Sequence, residues 1–159
     1  MVNKTHFFTI QHLDSLESMA THYPLIRQLY PKLTEDVYKL RLSRIIPSGY
    51  QQIGVYQDNK CLGIAGYKLE EELYRGRMIR VEDLIVDANI RSSGAGSALL
   101  AYIKEQAVAA GCENIVLESL DHQLHSMPLP PTPLSQFYLR NGFCQEGGAF
   151  CFPVTSQAA

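Results

Sequence analysis

The stretch Val81 to Gly111, VEDLIVDANIRSSGAGSALLAYIKEQAVAAG, constrains the fold more than any other part of the chain. Leu84, Ile85 and Val86 form a short branched apolar run stopped by Asp87-Ala88-Asn89, which predicts a strand. A glycine-bearing loop follows, Arg91-Ser92-Ser93-Gly94-Ala95-Gly96. From about Gly96 to Ala110, Leu99, Leu100, Ile103 and Ala107 recur on one face of a helix, and Gly111 is its stop. Strand, glycine loop and helix in that order bring backbone N–H groups to the positive end of a helix dipole. Such a place binds an anion, most naturally a phosphate. Gly94 and Gly96 carry no Cβ to hold a ligand off the main chain, and Arg91 adds a positive charge at the mouth.

Two familiar phosphate loops do not fit. A nucleotide P-loop ends in Gly-Lys-Ser/Thr, but Gly96 is followed by Ser97-Ala98. The dinucleotide fingerprint needs a third glycine where this chain has Leu99. The pattern that remains, Arg91-x-x-Gly94-x-Gly96, resembles the acetyl-CoA loop of the GNAT superfamily of N-acetyltransferases. Glu82-Asp83-Leu84-Ile85-Val86-Asp87 reads like the fourth strand of many such proteins, and Phe137-Tyr138-Leu139-Arg140-Asn141-Gly142-Phe143 resembles their second signature.

The rest of the chain is compatible with that resemblance. His6–Ile10 reads as a strand, and Leu13, Leu16, Met19 and Ala20 recur at helical spacing until Pro24 interrupts. A short turn of helix covers Leu25 to Leu29. Thr34 caps a longer helix that runs towards Pro47. Tyr50–Gln57 and Cys61–Leu69 read as strands joined through Asp58-Asn59-Lys60. Glu70-Glu71-Glu72 with Arg75-Gly76-Arg77 marks an exposed turn before the strand Met78–Asp87. Asn114–Leu120 is a short strand, Ser135–Asn141 a short helix, and Phe143–Gln145 with Ala149–Val154 a closing hairpin. Four prolines within 127–133 exclude helix and central strand there. The expected architecture is α/β (α+β): a GNAT fold in which helices flank a central mixed, mostly antiparallel twisted sheet of about seven strands. A single domain is expected over residues 1–159, which is long enough to bury a core.

Composition excludes several classes. Charged residues are 19% of the chain and net charge is −2, with no basic run of the kind that binds nucleic acid. No apolar stretch is long enough to span a bilayer, and the N-terminus lacks a signal-peptide core, so a cytoplasmic protein is expected. Cys61, Cys112, Cys144 and Cys151 show no CxxC pairing and read as buried thiols in a reducing compartment. Asp121, His122 and His125 are too few for a metal site, and no metal is expected.

The resemblance implies acetyl-CoA as co-substrate and an amine as acceptor. It places backbone groups of Leu84, Ile85 and Val86 beside the pantetheine arm. Amides of Arg91, Ser92, Ser93, Gly94, Ala95, Gly96 and Ser97 would hold the pyrophosphate. Tyr138 stands where many relatives keep a tyrosine near the thioester sulfur, able to protonate the leaving thiolate. Glu82 is the leading general base, acting directly or through water, with Asp83 and Glu118 as the other candidates. In an ideal strand Asp83 points to the face opposite Glu82. Without a positioned nucleophile, direct transfer in a ternary complex is the expected mechanism. Leu117-Glu118-Ser119-Leu120 and the proline-rich insert before Phe137 depart from similar bacterial proteins, so the acceptor is not carried over. Dimers are common among proteins it resembles, and a homodimer is the assembly this allows. A different class of reading is an acyl-CoA-binding regulatory module with little catalysis, and a third is a plain interaction protein.

Overall fold

A computed structural model describes residues 7–91, 93–118, 133–146 and 149–154. Seven strands form one open sheet in the order β1-β2-β3-β4-β5-β7-β6. They are β1 (Thr9–His12), β2 (Gln51–Gln57), β3 (Lys60–Glu72), β4 (Gly76–Val86), β5 (Asn114–Glu118), β6 (Cys144–Glu146) and β7 (Ala149–Pro153). Asp58 and Asn59 both take positive φ, 51° and 62°, as the two-residue turn between β2 and β3 demands. β4 and β5 pair in parallel from Met78↔Asn114 to Val81↔Leu117. β7 lies antiparallel to β5 and to β6. The sheet is therefore mixed and mostly antiparallel, as expected.

The helices are α1 (Leu16–Ala20), α2 (Tyr23–Leu29), α3 (Glu35–Ile45), α4 (Ala95–Ala109) and α5 (Pro133–Arg140). Ser15 and Ser18 cap α1 reciprocally, and the Thr34 hydroxyl accepts the Val37 N–H to cap α3. The helical run does break ahead of Pro24, between Ala20 and Tyr23, and Pro24 belongs to the helix that follows. It sits in the first turn of α2, where its missing N–H costs no helical bond. Glu70, Glu71 and Glu72 are not a turn but the end of β3. Glu70 and Glu72 meet Arg80, and Glu72 also meets Arg75, so ion pairing across the hairpin draws the acidic run into the strand.

The chain forms two compact units, Met1–Gly66 with Asp83–Leu99, and Tyr67–Glu82 with Leu100–Ala159. The core of the first joins Leu13, Met19, Leu25, Ile26, Tyr38, Leu42, Tyr50, Ile64 and Ile85. In the second, Met78, Val116, Ala149 and Cys151 pack together. Along α4 the buried residues include Leu99, Leu100, Ile103 and Ala107, the face that helical spacing picks out. Cys144 corrects the expectation of four buried thiols, because it lies exposed on the edge strand β6. Among the described residues no helix is long and apolar enough to cross a membrane.

Candidate active site

Among the described residues the register of β4 with β5 runs to Val81↔Leu117, and β4 itself runs to Val86. Ile85 is buried in the core of the first unit, while Leu84 and Val86 are half-buried. A Cβ on Gly63 would come within 2.7 Å of the Ile85 carbonyl oxygen, so only glycine lets β3 lie this close. The Asp87 N–H donates to the Leu62 carbonyl at 2.9 Å, which ties the end of β4 to β3.

The loop then begins on a capped turn. Asp87 Oδ1 accepts the Asn89 N–H at 3.1 Å, and Gln28 Oε1 accepts the Ala88 N–H at 2.9 Å. The Asn89 N–H holds the Asp87 carboxyl below its ordinary range. Arg91 is exposed. Gly94 takes φ +93°, a conformation that side-chain-bearing residues adopt at a cost. α4 starts at Ala95, one residue earlier than its periodicity suggests. Ser93 Oγ accepts the Ala95 N–H at 3.4 Å, and the Ala98 N–H reaches the Gly94 carbonyl at 3.0 Å. The N–H groups of the first turn, Gly96 and Ser97 among them, have no acceptor within the helix. They stand at the head of a 15-residue helix, a place where an anion can bind. Ser92, also expected here, lies outside the described residues.

The three candidate bases have different partners. Glu82 Oε1 lies 3.9 Å from Lys68 Nζ in an ion pair. Glu118 Oε1 accepts from Arg80 at 3.0 Å. Asp83 is held by hydroxyls instead. Tyr30 donates to its Oδ1 at 2.5 Å and Tyr50 to its Oδ2 at 2.6 Å. Tyr50 in turn accepts from the Gln52 amide at 3.2 Å, and the same amide reaches the Tyr38 hydroxyl at 3.1 Å. Burial, then the negative charge of Asp83, drives the Tyr50 phenol well above its ordinary pKa. Burial likewise pushes Tyr38 up to about 12. A Cβ on Gly66 would collide with the Tyr50 hydroxyl, so glycine makes room for the Tyr50–Asp83 bond.

Tyr138 is buried on α5, its ring centroid 5.1 Å from that of Phe150 and 6.2 Å from that of Phe143. The first unit thus holds Asp83, Leu84, Ile85, Val86, Arg91 and residues 93–97, and the second holds Glu82, Glu118 and Tyr138. Asp121, His122, His125 and the prolines at 128–131 lie outside the described residues. The tyrosine clamp on Asp83 has no signature in the sequence. Tyr30 and Tyr50 stand 53 and 33 residues from Asp83, beyond the reach of any local pattern.

The family model described as Acetyltransferase (GNAT) family matches residues 13–131. An uncharacterized N-acetyltransferase of Bacillus subtilis (strain 168) is 27% identical over 111 residues, covering 69% of this chain and 78% of its own. Glucosamine 6-phosphate N-acetyltransferase 1 of Oryza sativa subsp. japonica is 28% identical over 148 residues, covering 87% and 82%. Among solved structures, an aminoglycoside 6'-N-acetyltransferase complexed with coenzyme A superposes with a TM-score of 0.71 at 14% identity, covering 95% of this chain and 99% of that one, which shows a shared fold. The strand, glycine loop and helix head therefore sit within the match over residues 13–131, and the chain belongs to the GNAT family of acetyltransferases.

Proposed function

We propose that this acetyltransferase moves the acetyl group of acetyl-CoA to a primary amine by direct attack in a ternary complex. The observation that carries the reading is the loop from Arg91 to Ser97. It joins the end of β4 to the head of α4, with Gly94 at positive φ. Main-chain groups of Leu84–Val86 pair with the pantetheine arm as an added strand would. Amides of the loop and of the first turn of α4, with Arg91, hold the pyrophosphate.

The amine nitrogen attacks the thioester carbonyl carbon, and the carbon–sulfur bond breaks. Glu82 takes the proton that the ammonium loses, directly or through water, and Tyr138 gives a proton to the departing thiolate. Tyr138, buried on α5, carries the O–H that supplies this proton. The named amino-sugar enzymes among the similar proteins support an amine acceptor for this chain and bring amino sugars into the test.

The test is coenzyme A release from acetyl-CoA against polyamines, aminoglycosides, glucosamine 6-phosphate, amino acids and N-terminal peptides. Tyr138→Phe runs beside the parent, and a no-acceptor blank removes the contribution of the protein's own thiols. One acceptor whose turnover falls at least about tenfold in Tyr138→Phe fits the proposal. Turnover untouched by Tyr138→Phe and Glu82→Gln removes both roles.

A further inference from the structure

Asp83 is half-buried and accepts two hydroxyl hydrogens, one on each oxygen. A carboxylate offers about four lone-pair sites, so two remain. No lysine or arginine among the described residues pairs with it. Its neighbours in sequence and charge are answered by cations, Glu82 by Lys68 and Glu70 and Glu118 by Arg80. Neutral donors orient a carboxylate but leave its charge in place, and a partly desolvated charge draws a counter-ion.

The seat of this carboxylate is built into the interior. The Gln52 side chain is 1% exposed and donates to Tyr50, and Gly66 vacates the space in which Tyr50 meets Asp83. The Gln52 Oε1 atom has no partner among the described residues, which is a buried cost accepted to direct its amide at the two phenols. Asp83 also directly precedes Leu84–Val86, the run assigned above to the pantetheine arm.

We infer that Asp83, held by Tyr30 and Tyr50, is the specificity-determining carboxylate that receives the acceptor as an ammonium ion. This rests on the acetyl-CoA reading of the loop and adds the residue that tells a cationic amine from its neutral counterpart, Asp83. Aromatic amines, uncharged at neutral pH, gain nothing from the site.

The experiment titrates protein carrying 13C-labelled aspartate with n-butylammonium chloride at constant ionic strength, with coenzyme A present. Butyramide serves as the neutral counterpart. Calorimetry on the same sample reports coenzyme A binding. The expected result is a saturable shift of the Asp83 carboxyl signal with butylammonium and none with butyramide. Tyr30→Phe, which keeps the Tyr50 bond, raises the half-saturation concentration several-fold. With an acceptor from the panel, Asp83→Asn raises KM by about ten- to a hundredfold, the loss of one charged hydrogen bond, with a smaller change in kcat. An unsaturable shift, or an equal one with butyramide, while coenzyme A binds, overturns the inference and leaves the loop reading intact. Failure to bind coenzyme A overturns the loop reading itself, and the inference falls with it.

Discussion

The Tyr50 hydroxyl donates to Asp83 Oδ2 at 2.6 Å in the space where Gly66 has no side chain. The bond is a tertiary object, made of Tyr50 just ahead of β2, Asp83 on β4 and an absence on β3. Gly66→Ala places a methyl group against the Tyr50 hydroxyl and is expected to destabilise the protein by about 1–3 kcal/mol. Tyr50→Phe removes the colliding oxygen, so the double variant loses less than the sum of the two singles. Urea unfolding midpoints of the four proteins check this. Strict additivity would mean that the two residues do not share one space.

Gly94 and Gly111 separate loop function from backbone strain. Their φ angles are +93° and +70°, and alanine at either costs about 1–2 kcal/mol by strain alone. Neither is tightly packed: the nearest atom to a Cβ on Gly94 is 3.5 Å away, on Phe8, and a Cβ on Gly111 meets open space. Both variants should lose similar stability. Only Gly94→Ala should also weaken coenzyme A binding, by about tenfold or more, because it disturbs the amides proposed to hold the pyrophosphate. Equal affinities for the two variants in calorimetry would count against the loop as the binding site.

His22 gives a pH dependence with a definite sign. Its Nε2 lies 2.8 Å from the Tyr56 hydroxyl, and burial lowers its pKa below 6.5. Between the lowered value and 6.5 the unfolded chain holds more protons than the folded one, so stability rises with pH. The contribution is present above pH ~6.5 and is lost as pH falls through the folded value. Because the ring is partly exposed, the effect is small, a Tm increase of about 1–3 °C from pH ~5 to pH ~7.5. His22→Gln should flatten that slope in thermal melts. An unchanged slope would assign it to other groups.

Cys144 and Cys151 stand directly opposite each other in the antiparallel pair β6–β7. Directly opposed residues share a face, with Cβ atoms about 4.5–5.5 Å apart, close to the span of a disulfide. Burial pushes the Cys151 thiol up, so the exposed Cys144 meets oxidant first. With hydrogen peroxide, the two thiols give up their hydrogens to form a disulfide while the peroxide is reduced to water. Intact mass under mild peroxide is expected to fall by two hydrogens and return with dithiothreitol. Cys144→Ser should abolish the change, and a persistent loss in that variant would point to another pair.

The stretch from Val81 to Gly111 was legible because its information is local. A branched run, a glycine loop and a 3.6-residue apolar period each act within a few residues, and the face Leu99, Leu100, Ile103 and Ala107 is buried as the period requires. Thr34 capped its helix for the same reason. Local reading erred where distant partners decide. The acidic run at the end of β3 became strand because Arg75 and Arg80 meet it. Glu82 was visible as a candidate base from its offset to Arg91, whereas its ion pair with Lys68 was not. The sequence by itself determined the order of elements, the strand–glycine loop–helix stretch and the resemblance to acetyltransferases. Only the tertiary structure decided that Asp83 is gripped by Tyr30 and Tyr50 over Gly66, because a hydrogen bond between residues 33 or 53 positions apart exists only after the sheet has brought them together.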